Sequence, residues 1–86
     1  MEWPEWWTWE MRFIPHTEDR MEERGFSEVE LRTMLADASD MTPSRRQGRW
    51  LVRTRFMRSR WLVVVEPDPI DEIVYVITAF PDASPS

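Results

Sequence analysis

Residues 49–80 constrain the fold of this chain more than any other stretch. Three strand-like runs, 49–56, 60–66 and 72–80, are separated only by "MRS" and "PDPID". Connections this short leave no room for a crossover, so the three runs must pair antiparallel, each with the next. In the first run Trp50, Val52, Thr54 and Phe56 share one face, and Arg49, Leu51, Arg53 and Arg55 share the other. The runs "WLVVV" and "IVYVITAF" are apolar on both faces, which predicts central strands with helices covering one side.

The upstream half supplies those helices. From residue 7 to 14 the pattern alternates, Trp7, Trp9, Met11 and Phe13 against Thr8, Glu10 and Arg12, which predicts a strand that Pro15 ends. Residues 16–24 fit two helical turns stopped by Gly25. Ser27 followed by Glu30 is a capping box, with Phe26 and Leu31 placed to form a hydrophobic staple. Leu31, Met34, Leu35 and Ala38 then give the buried stripe of a second helix. "DASDMTPSRRQG", residues 37–48, reads as an exposed loop, and residues 81–86 as a loose tail. The expected fold class is α+β: a strand, two helices, then a three-strand antiparallel meander, with the helices packed on one face of a single sheet. With 86 residues the chain is expected to be a single domain, because a chain this short buries only about 60–65% of its unfolded surface and cannot furnish a second core.

With no cysteine, disulfide frameworks, thiolate zinc sites and cysteine nucleophiles are excluded. The opening "MEWPEWWTWE" is acidic and aromatic, unlike a secretory signal, and the longest apolar run, 61–65, is far shorter than the roughly 20 residues of a spanning helix. A cytoplasmic location without membrane contact is the expectation. The formal net charge is −5, but it is unevenly spread. Residues 41–65 hold seven arginines (45, 46, 49, 53, 55, 58, 60) and no acid, whereas residues 66–86 hold five acids and no base. Screening over roughly 8 Å at physiological salt lets such a block act on an anion nearly independently of distant acids.

His16, Arg20 and Arg24 recur at every fourth residue along one side of the first predicted helix, and His16 is the only histidine. A histidine beside arginines offers a proton carrier next to an anion clamp, the parts needed to cleave a phosphodiester without metal. The same stripe could equally be a solvated helix face, with Glu18, Asp19, Glu22 and Glu23 pairing Arg20 and Arg24. Arg53 and Arg55 favour the first reading, since they leave one face of a strand expected to neighbour the helix layer or its edge. No metal or cofactor is expected, because a lone histidine without cysteine gives a poor ligand set.

"PHTEDRMEERGFSEVELRTML", then "GRWLVRTRF", "WLVVVEPDP" and "VYVITAF", resembles the DUF4258 family of small bacterial proteins, which is grouped with RelE-like toxins in the barnase, EndoU, colicin and RelE class of ribonuclease folds. The shared pattern is His-x3-Arg-x3-Arg-Gly, an apolar residue, Ser-x-x-Glu, a meander, and a last strand ending in Thr-Ala-aromatic. The resemblance implies a metal-independent endoribonuclease, the toxin of a toxin–antitoxin pair, that makes a 2′-OH attack its adjacent phosphate. On that view His16 is the general acid or base and Arg20 and Arg24 hold the scissile phosphate. Arg53 or Arg55 neutralises the transition state, and Thr78 and Phe80 line the site, Phe80 as a stacking platform for a base. RNA and a cognate antitoxin are then the expected partners.

The rival expectation is a non-enzymatic interaction module. In it the tryptophan-rich first strand (Trp3, Trp6, Trp7, Trp9) and the arginine block dock another protein or a second copy of the chain as a homodimer.

Overall fold

A computed structural model describes residues 3–25 and 27–82. A short 3₁₀ turn (Glu5–Thr8) leads into β1 (Glu10–Phe13), α1 (Pro15–Arg24), α2 (Glu28–Ala36), β2 (Asp40–Pro43), β3 (Trp50–Phe56), β4 (Ser59–Asp68) and β5 (Ile73–Pro81). The five strands form one sheet in the order β1-β5-β4-β3-β2. β2 to β5 pair antiparallel, and β1 closes the far edge parallel to β5.

The meander and both helices form as the pattern predicts, with β4 and β5 central. Pro15 stands at the first position of α1, where its missing N–H costs nothing, and Gly25 ends the helix in the left-handed region at φ 76°. At the start of α2 the capping box closes both ways: Glu30 N–H donates to Ser27 Oγ at 3.2 Å, and Ser27 N–H to Glu30 Oε1 at 2.9 Å. The staple residue Phe26 lies outside the described residues. Leu31, Met34 and Leu35 are buried as expected, while Ala38, beyond the end of α2, packs only partly against the core.

Both helices cover the same face of the sheet. Met21 of α1 and the three buried α2 residues meet Met41, Val52, Val63, Val65, Val74, Val76 and Ala79 in one hydrophobic cluster. α1 lies against β5 and α2 against β3, where the buried Thr54 hydroxyl donates to the Met34 carbonyl at the end of α2.

Three segments depart from expectation. The strand expected from residue 7 begins only at Glu10, because Trp7 and Trp9 N–H groups donate to the Pro4 and Trp6 carbonyls and wind this segment into the 3₁₀ turn. That turn lays the indoles on the core: Trp3 stacks on Trp7 at 4.5 Å between ring centroids, and Trp6 meets Trp50 of β3 at 5.9 Å. Within the expected loop, Asp40–Pro43 forms edge strand β2, which has one buried residue, Met41, and ends in a proline, as an edge position allows. At the other end Pro81 completes β5, and Asp82 N–H donates to the Arg60 carbonyl at 2.9 Å, so these two residues are fastened rather than loose.

Candidate functional site

The face of the sheet opposite the helices carries the arginines. Strand alternation turns Val52 and Thr54 of β3 inward under α2, which sends Arg53 and Arg55 to the open side. They therefore share one face, as the alternation predicts, and it is the face turned away from the helix layer, because β3 spends its other face on the core. Arg53 Nη1 pairs with Asp40 Oδ1 at 3.3 Å on the neighbouring β2, with both side chains about half exposed.

A bulge in β5 brings Thr78 and Phe80 to the same side. The ladder between β4 and β5 pairs Val65 with Val76 and Val64 with Thr78, leaving Ile77 without an opposite number. Before it, the even-numbered Val74 and Val76 point into the core; after it, Ala79 does. Without the extra residue Thr78 and Phe80 would fall under the helices. With it, Phe80, Leu62 and Arg53 form one row across β5, β4 and β3, and Thr78, Val64 and Leu51 form the next. At about 4.8 Å per strand, Phe80 and Arg53 stand roughly 10 Å apart in the sheet.

The histidine–arginine stripe divides into three different situations. His16 is exposed and its side chain makes no hydrogen bond or ion pair among the described residues. Arg20 Nη1 pairs with Glu23 Oε2 at 3.0 Å on its own helix. Arg24 Nη1 donates to the Ala79 carbonyl and so ties α1 to β5. Since α1 lies along β5, two strands away from β3, the seven candidates form two groups. Arg53, Arg55, Thr78 and Phe80 share the open face; His16, Arg20 and Arg24 belong to α1, which packs against β5 from the helix side. Arg24 is the link, bonded to the residue between Thr78 and Phe80.

Two residues escaped the sequence reading. Thr17, which is fully buried, donates its hydroxyl to the Val76 and Ile77 carbonyls at 2.5 and 2.6 Å and so satisfies the bulge. The signal was a threonine four residues before Met21, the other buried residue of a helix that is otherwise mostly charged. The second is Arg60, directly opposite Arg55 in the β3–β4 ladder. Reading "MRS" as a three-residue turn hides this pairing. The actual turn has two residues, Met57 and Arg58, at φ 49° and 68°, a type I′ geometry without its usual Asn-Gly.

The arginines also divide by engagement. Arg12, Arg20, Arg32, Arg49 and Arg53 form ion pairs, and Arg24 holds Ala79. The side chains of Arg45, Arg46, Arg55, Arg58 and Arg60 have no partner among the described residues, and all five lie within the acid-free block.

No protein-family model matches the sequence, and no curated protein matches it either. Among solved structures, the ribonuclease toxin BrnT of Brucella abortus is similar in fold, with a TM-score of 0.67 over 90% of this chain and 100% of that one, at 16% sequence identity. At that identity the likeness is one of fold. The α+β architecture expected from the sequence is thus shared with a ribonuclease toxin, while the DUF4258 assignment has no matching model behind it. Among the described residues no helix is long and apolar enough to cross a membrane.

Proposed function

We propose that this chain is a ribonuclease-toxin-type protein that binds RNA across the open face of its sheet and cleaves it without metal, its activity held in check by a cognate antitoxin. The observation that carries the reading is the open face itself. Guanidinium groups on β3 and an aromatic ring on β5 stand in register across an apolar strand, on a fold shared with a ribonuclease toxin. Arginine matches phosphate geometry and a phenyl ring stacks a base of any identity, so one nucleotide spans the row from Arg53 to Phe80. Arg55 receives a phosphate on one side of this row, and Thr78 offers a hydroxyl on the other.

In this reading an RNA strand running past Phe80 turns over β5 toward α1, which carries His16, Arg20 and Arg24. There the 2′-oxygen forms a bond to phosphorus as the bond from phosphorus to the 5′-oxygen breaks. The 2′ proton is given up, and a proton returns to the leaving oxygen. His16, the sole imidazole, carries one of these transfers and water the other. Of the rival module, the tryptophan half is weakened by the turning of Trp3, Trp6 and Trp7 onto the core.

The test is incubation of the purified chain with long single-stranded RNA in EDTA, beside His16→Ala and Arg55→Ala. Fragments ending in 2′,3′-cyclic phosphate are expected from wild type, with a loss of about 10²- to 10⁴-fold for His16→Ala. Equal cleavage by His16→Ala removes its role, and RNA binding without products reduces the function to binding.

A further inference from the structure

We infer that β1 is the docking edge for a second copy of this chain, pairing antiparallel with its own counterpart about a two-fold axis at Met11, so that two five-stranded sheets join into one. The inference does not depend on the RNA reading of the open face.

β1 is an outer strand: β5 pairs its inner side, and among the described residues no strand pairs its outer side. Such an edge is a template for another strand, and natural sheets blunt it with proline, bulges or charge. The far edge, β2, ends in Pro43, whereas β1 has no proline. Its two charges, Glu10 and Arg12, are exposed and of opposite sign, and within one copy they pair side by side at 2.9 Å.

That pattern is complementary to itself in one register. Pairing centred on Met11 sets Glu10 of each copy across from Arg12 of the other, which makes a square of four charges with opposite signs along every side. Pairing centred on Glu10 or on Arg12 opposes like charges instead, so the neighbouring registers are disfavoured. The helix side agrees. Met11 meets Met11, and Trp9, whose backbone is already extended at φ −69° and ψ 163°, meets Phe13; both rings pack only partly against their own core. Trp7, Met11, Arg32, Leu35 and Ala36 line a cleft of about 240 Å³ beside this edge, room for the flexible thioether of the second copy. Arg32 donates to the Met11 carbonyl at 3.2 Å from the helix layer, and a carbonyl oxygen keeps a second lone pair for a strand partner. Because directly opposed residues lie on the same face, both helix layers fall on one side of the joined sheet and both open faces on the other.

Sedimentation velocity over a concentration series tests this with wild type, Glu10→Arg, Arg12→Glu, the double swap carrying both changes, and an equimolar mixture of the two single variants. An edge this short buries little area, so wild type is expected to dimerise in a concentration-dependent manner. Each single variant gives the square one sign throughout and is expected to weaken dimerisation by about tenfold or more. Both positions are exposed, so Tm is expected to hold. The double swap restores the square and the mixture forms it between unlike copies, so both are expected to recover the wild-type dissociation constant. Recovery in the mixture cannot come from the fold of either copy alone. A wild type that stays monomeric throughout, which leaves the edge to a strand of another protein, overturns the inference. So do single variants that dimerise like wild type, or a mixture that stays monomeric.

Discussion

The hydroxyl of Thr17 in α1 lies 2.6 Å from the carbonyl oxygen of Ile77, the residue bulged out of the β4–β5 ladder. A bulge leaves backbone polar groups without their ladder partners, and burying them unpaired is costly. Thr17 therefore holds in place the irregularity that puts Thr78 and Phe80 on the arginine face.

Thr17→Val keeps the shape and removes the donor, so it is expected to cost about 1–3 kcal/mol. Thr17→Ser keeps the donor and loses only a methyl group, at a cost of about 1 kcal/mol. Urea unfolding of both variants checks this. A larger loss for Ser than for Val would assign the role of Thr17 to packing.

Arg24 and Arg20 have the same spacing and charge but unequal partners. Arg24→Ala severs a charged donor from the Ala79 carbonyl and is expected to lower stability by about 1–2 kcal/mol. Arg20→Ala removes an exposed pair within one helix and should cost no more than about 0.5 kcal/mol. Chemical denaturation of the two variants side by side separates the tether from the surface pair.

Trp6→Ala discriminates between core and interface roles for the tryptophans. Its indole meets Trp50 at 5.9 Å and packs against the core while partly exposed, so truncation is expected to cost about 2–3 kcal/mol, below the full value for a wholly buried aromatic. The expected result is a lower Tm at unchanged oligomeric state in analytical ultracentrifugation. Dissociation of an oligomer at unchanged Tm would instead assign Trp6 to an interface.

Met57→Asn tests the hairpin turn. Met57 is 81% exposed and buries little, but it holds φ 49°, a conformation asparagine adopts more readily. A gain of about 0.5–1 kcal/mol is expected, read as a rise in Tm. A loss would mean that the methionine side chain contributes contacts that outweigh its backbone strain.

Local chemistry made much of this chain legible. Pro15, Gly25 and the Ser27–Glu30 box delimit the helices because capping satisfies backbone groups within a few residues. Turns too short for a crossover dictate the meander, and Leu31, Met34 and Leu35 declare their burial through helical spacing. Long-range pairing decided the rest. β2 exists because Met41 finds a place beside Val52, a contact that its own proline- and serine-rich neighbourhood does not announce. Alternating tryptophans suggest a strand, yet a 3₁₀ turn forms in its place and packs the indoles on the core, with Trp6 against Trp50. The candidate site shows the same division most clearly. Arg53 and Arg55 are separated by period two in the sequence, so their common face was readable. In "IVYVITAF" apolar residues occupy both faces, and no pattern reveals where the alternation slips. Only the pairing of β5 with β4, and the buried hydroxyl that α1 brings to Ile77, places Phe80 on the side of the arginines, because a one-residue bulge reverses every side chain beyond it.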